Sequence, residues 1–148
     1  MPLIGGGGAP NVSGGANPSG TGSGINFIGR SRIDDRNYWG GYSGQVLVAS
    51  NIVTQFNFTA PNVATIATYV FANTGVAGSN QYTGYVVEID GQTVIDARFF
   101  NVAGGINVTD LDVPITIPIP AEAVVTISGQ ASDSEGHNTF GSIILKEI

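Results

Sequence analysis

The sequence predicts an all-β protein: an antiparallel β-sandwich of the jelly-roll kind, preceded by an extended glycine-rich N-terminal arm. Three observations carry this. From Gln45 onward apolar and polar side chains alternate with period two, clusters of Gly, Asn, Asp and Pro recur at spacings that leave room for short strands, and no stretch repeats apolar residues at the spacing of an amphipathic helix. The 148 residues suit a single domain, and 42% hydrophobic against 11% charged residues is the balance of a chain able to bury a core.

The arm is expected to occupy residues 1–44, which hold 13 of the 22 glycines. Residues 1–24 have little to bury and are expected to be a flexible coil when free. Residues 25–39 differ. There Ile25, Phe27, Ile28, Ile33, Tyr38 and the only tryptophan, Trp39, are interleaved with Arg30, Arg32 and Arg36, three of the five basic residues. Tyr, Trp and Arg combine large apolar area with directional polar ends and concentrate at interface hot spots. Ile25, Phe27, Ile28, Arg30, Arg32, Arg36, Tyr38 and Trp39 are therefore expected to bind a partner; the alternative is an extra strand folded onto the chain's own sandwich. Three arginines against two aspartates leave +1 on the arm, and so −7 of the total −6 on the rest.

The β-sandwich domain is expected over residues 45–148. Ile52, Thr54, Phe56 and Phe58 alternate with Val53, Gln55, Asn57 and Thr59, a half-buried strand that Pro61 ends. Residues 63–72 are apolar or threonine throughout, the pattern of a strand covered on both faces. A Gly/Asn loop leads into residues 82–100, where two β-branched and aromatic runs flank Asp90 and Gly91. That dipeptide tolerates positive φ at both centres of a type I′ turn, so a two-residue hairpin is expected. Its register would set Ile89 opposite Gln92, Val87 opposite Val94, Val86 opposite Ile95 and Tyr82 opposite Phe99. The core face would then be Tyr82, Val86, Ile95, Ala97 and Phe99, with Tyr85, Val87, Val94, Asp96 and Arg98 on the other. Further on, Val113, Ile115, Ile117 and Ile119 alternate with Pro114, Thr116, Pro118 and Pro120. Proline cannot donate to a ladder, so an edge strand or a ladder-free extended segment is expected, and each isoleucine it buries contributes roughly 1.5 to 3 kcal/mol. Residues 123–128 and 142–148 supply the last two strands.

Composition excludes several functions. A net charge of −6, a pI near 4.3 and only five basic residues leave no clustered cations for nucleic acid. There is no cysteine for a disulfide, thiolate zinc site or nucleophile. No 18-residue apolar run spans a bilayer, and residues 1–24 lack the basic and apolar regions of a secretion signal. The one lysine, Lys146, stands in no phosphate-binding loop. His137, the only histidine, sits in a Ser/Asp/Glu/Gly context and is expected at a solvated loop tip. Asp110 with Asp112, and Asp133 with Glu135, could lend oxygens to calcium, yet neither pair has the spaced set of an EF-hand, so turn chemistry is expected. Asp34 and Asp35 are expected to pair with Arg32 and Arg36, while Asp96 and Arg98 are same-face neighbours that need no functional account. No cofactor, metal or enzymatic activity is expected.

Phe56, Phe58, Thr59, Ala60 and Pro61, followed by Tyr69, Val70 and Phe71, resemble the stretch leading into the early strands of the C1q and tumour-necrosis-factor jelly rolls. Ala121 through Ile127, followed by Phe140, Gly141, Ser142, Ile143, Ile144 and Leu145, are similar to that family's penultimate and closing strands. The resemblance covers residues 45–148 and implies a ten-stranded jelly roll forming a tight homotrimer. With a glycine-rich leader it looks like a tailed-phage virion protein. The function implied is a non-enzymatic capsid decoration (cement) protein on the outer surface of the particle, held by its arm to the major capsid protein or another lattice protein. The alternative is a phage fibre, receptor-binding or C1q-like surface-binding module.

Overall fold

The structure, a computed structural model, describes residues 19–20, 26–74, 81–100, 111–132 and 137–148. Ten strands follow one another: β1 (Ser19–Gly20), β2 (Asn26–Ile33), β3 (Arg36–Val48), β4 (Ile52–Thr59), β5 (Thr65–Thr74), β6 (Tyr82–Ile89), β7 (Gln92–Phe100), β8 (Leu111–Ile119), β9 (Val124–Ala131) and β10 (His137–Glu147). They form two five-stranded antiparallel sheets, the first ordered β1-β4-β9-β6-β7 and the second β2-β3-β10-β5-β8. The described residues contain no helix.

The pairing is nested about the hairpin. Asp90 and Gly91 both take positive φ, 50° and 78°, and turn β6 into β7. Outward from that turn β5 pairs with β8, β4 with β9 and β3 with β10. An antiparallel ribbon of this kind, rolled so that all its connections but the hairpin cross between sheets, is a jelly roll. β2 and β1 extend the far edges by pairing with β3 and β4.

The core between the sheets is aromatic. Tyr69 meets Phe56 edge-on at 6.2 Å and Tyr85 at 5.2 Å, and Phe71 lies 5.3 Å from Tyr85. Such pairs prefer edge and tilted arrangements and add to the burial of their large rings. A polar chain crosses this interior. The Tyr69 hydroxyl donates to Gln55 Oε1 at 2.5 Å, Gln55 Nε2 donates to Thr139 Oγ1 at 2.9 Å, and Thr139 Oγ1 donates to the Val46 carbonyl at 3.0 Å. Three strands of the second sheet are thereby tied to β4 of the first.

Burial pushes the Tyr69 phenol well above its ordinary pKa, with Tyr85 adding to the effect, and burial pushes Tyr85 up as well. A phenol kept protonated in the fold but free to ionise when unfolded leaves stability intact below about pH 10 and removes it as pH rises further. Denaturant midpoints are expected to hold up to about pH 9 and fall above about pH 10, and Tyr69→Phe to blunt that fall. A midpoint unchanged well above the ordinary tyrosine range would contradict the assignment.

Several expectations change. A bulge in β7 shifts the hairpin register between Val87 and Glu88: Ile89 does face Gln92, but Val87 faces Ile95, Val86 faces Asp96, Tyr85 faces Ala97 and Tyr82 faces Phe100. One extra residue moves every later pair to the other combination of faces. Tyr85 and Val87 are therefore core residues, packed with Ile95, Ala97 and Phe99, whereas Tyr82 and Val86 are only half-buried. β5 is covered on one face only, since Ile66 and Thr68 are exposed between buried Thr65, Ala67 and Tyr69. His137 opens β10 opposite Val48 and is fully buried, not at a wet loop tip. The boundary expected at residue 44 falls inside β3, which starts at Arg36. β8 does lie at a sheet edge, with Ile117 and Ile119 buried and Pro114, Pro118 and Pro120 exposed.

Candidate functional site: an interaction surface

Asp34 and Asp35, both at positive φ (49° and 61°), make the two-residue turn between β2 and β3. Asp35 also pairs with Arg32 at 3.3 Å on the surface, a contact worth little on its own. Of the residues expected to bind a partner, Ile25 lies outside the described residues. Phe27, Ile28 and Arg30 fall on β2, with Phe27 opposite Gly41 and Arg30 opposite Trp39. Trp39 is 1% exposed and belongs to the sandwich core, so its ring is taken up by its own chain.

Arg36 and Tyr38 go to the opposite face of the second sheet. With Ile66, Thr68, Ile144, Lys146, Glu147 and Ile148 they line an open groove of about 360 Å³. Its floor is apolar, with Ile66 38% and Ile144 54% exposed, and Tyr42, 47% exposed, lies on the same sheet face. The Lys146 ammonium stands 6.0 Å from the centroid of the Tyr38 ring. Glu147 is held by β3: its Oε2 accepts from the Asn37 backbone N–H at 2.9 Å and from Asn37 Nδ2 at 2.6 Å. That leaves Arg36 and Lys146 as the groove's cations, set over apolar side chains. A surface of this composition suits a protein partner, because exposed apolar area gains from being covered while the rim fixes orientation.

The outer face of the first sheet carries a second cluster. Arg98 grips Asp96 with two bonds, Nε to Oδ1 at 3.0 Å and Nη2 to Oδ2 at 2.9 Å. Gln130 Nε2 reaches over side-chain-less Gly84 to donate to Asp96 Oδ1 at 2.6 Å and to the Ala97 carbonyl at 3.1 Å. A Cβ on Gly84 would lie 1.9 Å from that carbonyl oxygen, so the close approach requires glycine. The hydrogen bonds from Arg98 and then Gln130 hold the Asp96 carboxyl below its usual pKa. Arg98 also stands 4.9 Å over the Tyr82 ring, which lies 5.3 Å from Phe100.

Sequence reasoning missed Ile66, Ile144 and Lys146. The signal was there in Ile143, Ile144 and Leu145, consecutive apolar residues that must point to both faces of a strand. Among the described residues no group of three or more His, Cys, Asp or Glu side chains could hold a metal. Asp110, Asp133 and Glu135, and the side chain of Asp112, lie outside what is described. The His137 ring, fully buried, is out of reach of a solvent-borne substrate.

Neither a family model nor a curated protein sequence matches the chain. Solved structures do match its fold. One is the crystal structure of the infectious bursal disease virus VP2 subviral particle, at 14% identity and a TM-score of 0.51, covering 79% of this chain and 33% of that one. Others are T=1 particles derived from the same virus, at 15% identity and a TM-score of 0.52, and those of a mutant VP2, at 16% and 0.52; each covers 79% of this chain and 32% of the other. The likeness is one of fold. This chain spans about a third of the length of the VP2 chains it matches.

Proposed function

We propose that the chain is a non-enzymatic structural protein of a virus particle: a capsid decoration (cement) protein of the tailed-phage kind, on the outer surface, joined to the major capsid protein or another lattice protein through residues 1–44. The carrying observation is the jelly roll it shares with VP2 chains solved in subviral and T=1 particles. The groove beside Arg36 and Tyr38 supports it, because the arm's own residues border an apolar surface with cations at its rim. The partner-binding residues in this reading are Ile25, Phe27, Ile28, Arg30, Arg32, Arg36 and Tyr38, without Trp39. The homotrimer also belongs to this reading, in line with the C1q-like spacing.

Deleting residues 1–25 together with Arg36→Glu and Tyr38→Ala, two exposed-face changes at the groove, spares β2, β3 and Trp39 and is expected to leave a folded protein that no longer co-sediments with its particle. Unchanged binding by the truncated chain would sink the attachment reading. A surface-binding module is the second reading, favoured by exposed Phe100 and half-buried Tyr82 beside the Asp96–Arg98 pair. Copies per particle separate the two, since decoration needs many and a fibre tip few.

A further inference from the structure

We infer that the free edge of β7 is a contact between two copies of this chain, paired antiparallel about a two-fold axis at Ala97. Among the described residues β7 ends the first sheet, and no strand covers its outer side. Such an edge is a row of unpaired N–H and C=O groups that templates pairing. The neighbouring edge is different: β8 carries Pro114 and Pro118, which have no N–H to offer. No proline interrupts residues 92–100.

The direction of the backbone groups follows from one hydrogen bond. The Ala97 carbonyl accepts from Gln130, on the inner side of the strand, so alternation turns the N–H and C=O of Asp96 and Arg98 to the free edge. A two-fold axis at Ala97 sets Asp96 opposite the partner's Arg98 and Arg98 opposite the partner's Asp96. Those are the residues with outward backbone groups, so each pair exchanges two backbone hydrogen bonds while its side chains oppose with unlike charge. Each guanidinium keeps its own Asp96 and gains the partner's, making a ring of four charges.

The apolar residues match in the same register. Val94, 48% exposed, meets the partner's Phe100, 54% exposed, and half-buried Ile95 meets the partner's Phe99. An axis at Asp96 or at Arg98 also satisfies the backbone but opposes like charges, and an axis at Ile95 puts Asp96 against Val94. Only the axis at Ala97 makes the edge self-complementary, as a two-fold contact requires. The contact stands apart from the groove on the second sheet and does not depend on the virion reading.

Asp96→Arg and Arg98→Asp test it by native mass measurement over a dilution series, each alone and mixed in equal amounts. The unaltered chain is expected to show twice the mass of either variant, and the mixture to recover the doubled mass as a one-to-one complex. Both variants break the pair within their own chain, so recovery on mixing reports only the contact between chains. In a chain without cysteine, Ala97→Cys is expected to give a disulfide-linked dimer under mild oxidation, because a non-hydrogen-bonded cross-strand pair has Cα atoms about 4.5 Å apart. Gln92→Cys is expected to give none. Equal masses for the unaltered chain and the variants, or a mixture that forms no complex, overturns the inference.

Discussion

Replacing Trp39 with alanine is expected to destabilise the protein by about 3 to 5 kcal/mol, the range for deleting a large buried aromatic side chain. Trp39 is 1% exposed, and its backbone lies between Arg30 of β2 and Leu145 of β10. Its ring belongs to the packed core cluster between the sheets. Urea unfolding followed by circular dichroism should show a large drop in midpoint at an unchanged slope. A loss under about 1 kcal/mol, ordinary for a surface position, would mean the ring is not part of the core. By the same reasoning a chain lacking residues 1–39 is expected to be unfolded, while one lacking residues 1–25 is not, so only the shorter deletion probes attachment.

Gln55→Leu is expected to cost at least roughly 2 kcal/mol although it exchanges a polar for an apolar side chain of similar size. The change strips the partner from the Tyr69 hydroxyl and one partner from Thr139, and a buried polar group left unpaired costs roughly 1 to 3 kcal/mol. Adding Tyr69→Phe removes the stranded hydroxyl. The double variant should therefore be clearly more stable than the sum of the single losses predicts, a coupling that a double-mutant cycle measures. Additive losses would show that the chain of bonds between Tyr69, Gln55 and Thr139 contributes nothing as a unit.

The hairpin was legible because Asp90 and Gly91 fix a backbone geometry that few dipeptides tolerate, and the proline-rich edge because a missing N–H is a property of the residue itself. The bulge in β7 was not legible. Val94 sits in a run where Val, Ile and Ala could occupy either face, and only packing against the second sheet decides which. The arm boundary was misplaced for a compositional reason: glycines continue through Gly40, Gly41 and Gly44, while alternation of buried and less buried positions already begins at Asn37. Trp39 pointed equally to an interface and to a core, since both reward large apolar area. His137 was misjudged because its neighbours in sequence are polar, whereas its environment is made by β3, distant in sequence. The groove lay beyond sequence reasoning for the same reason, as it joins Arg36 to Ile66 and Lys146 only after β3, β5 and β10 are side by side.

The nested pairing also constrains how the protein can be made. β9 lies between β4 and β6, and β10 between β3 and β5, so the central strands of both sheets come from the final stretch of the described chain. On a ribosome adding roughly 5 to 20 residues per second, everything through β8 emerges before either sheet can be joined across its middle. Until then β3, β4, β5 and β6 each have an edge awaiting a strand not yet synthesised. Neither sheet can be completed until β9 and β10 have emerged, and folding is expected to be slow, as contacts are far apart in sequence. A premature stop after β8 would leave four separate strand pairs, β1-β4, β6-β7, β2-β3 and β5-β8, with open inner edges prone to aggregate, in place of a smaller folded domain.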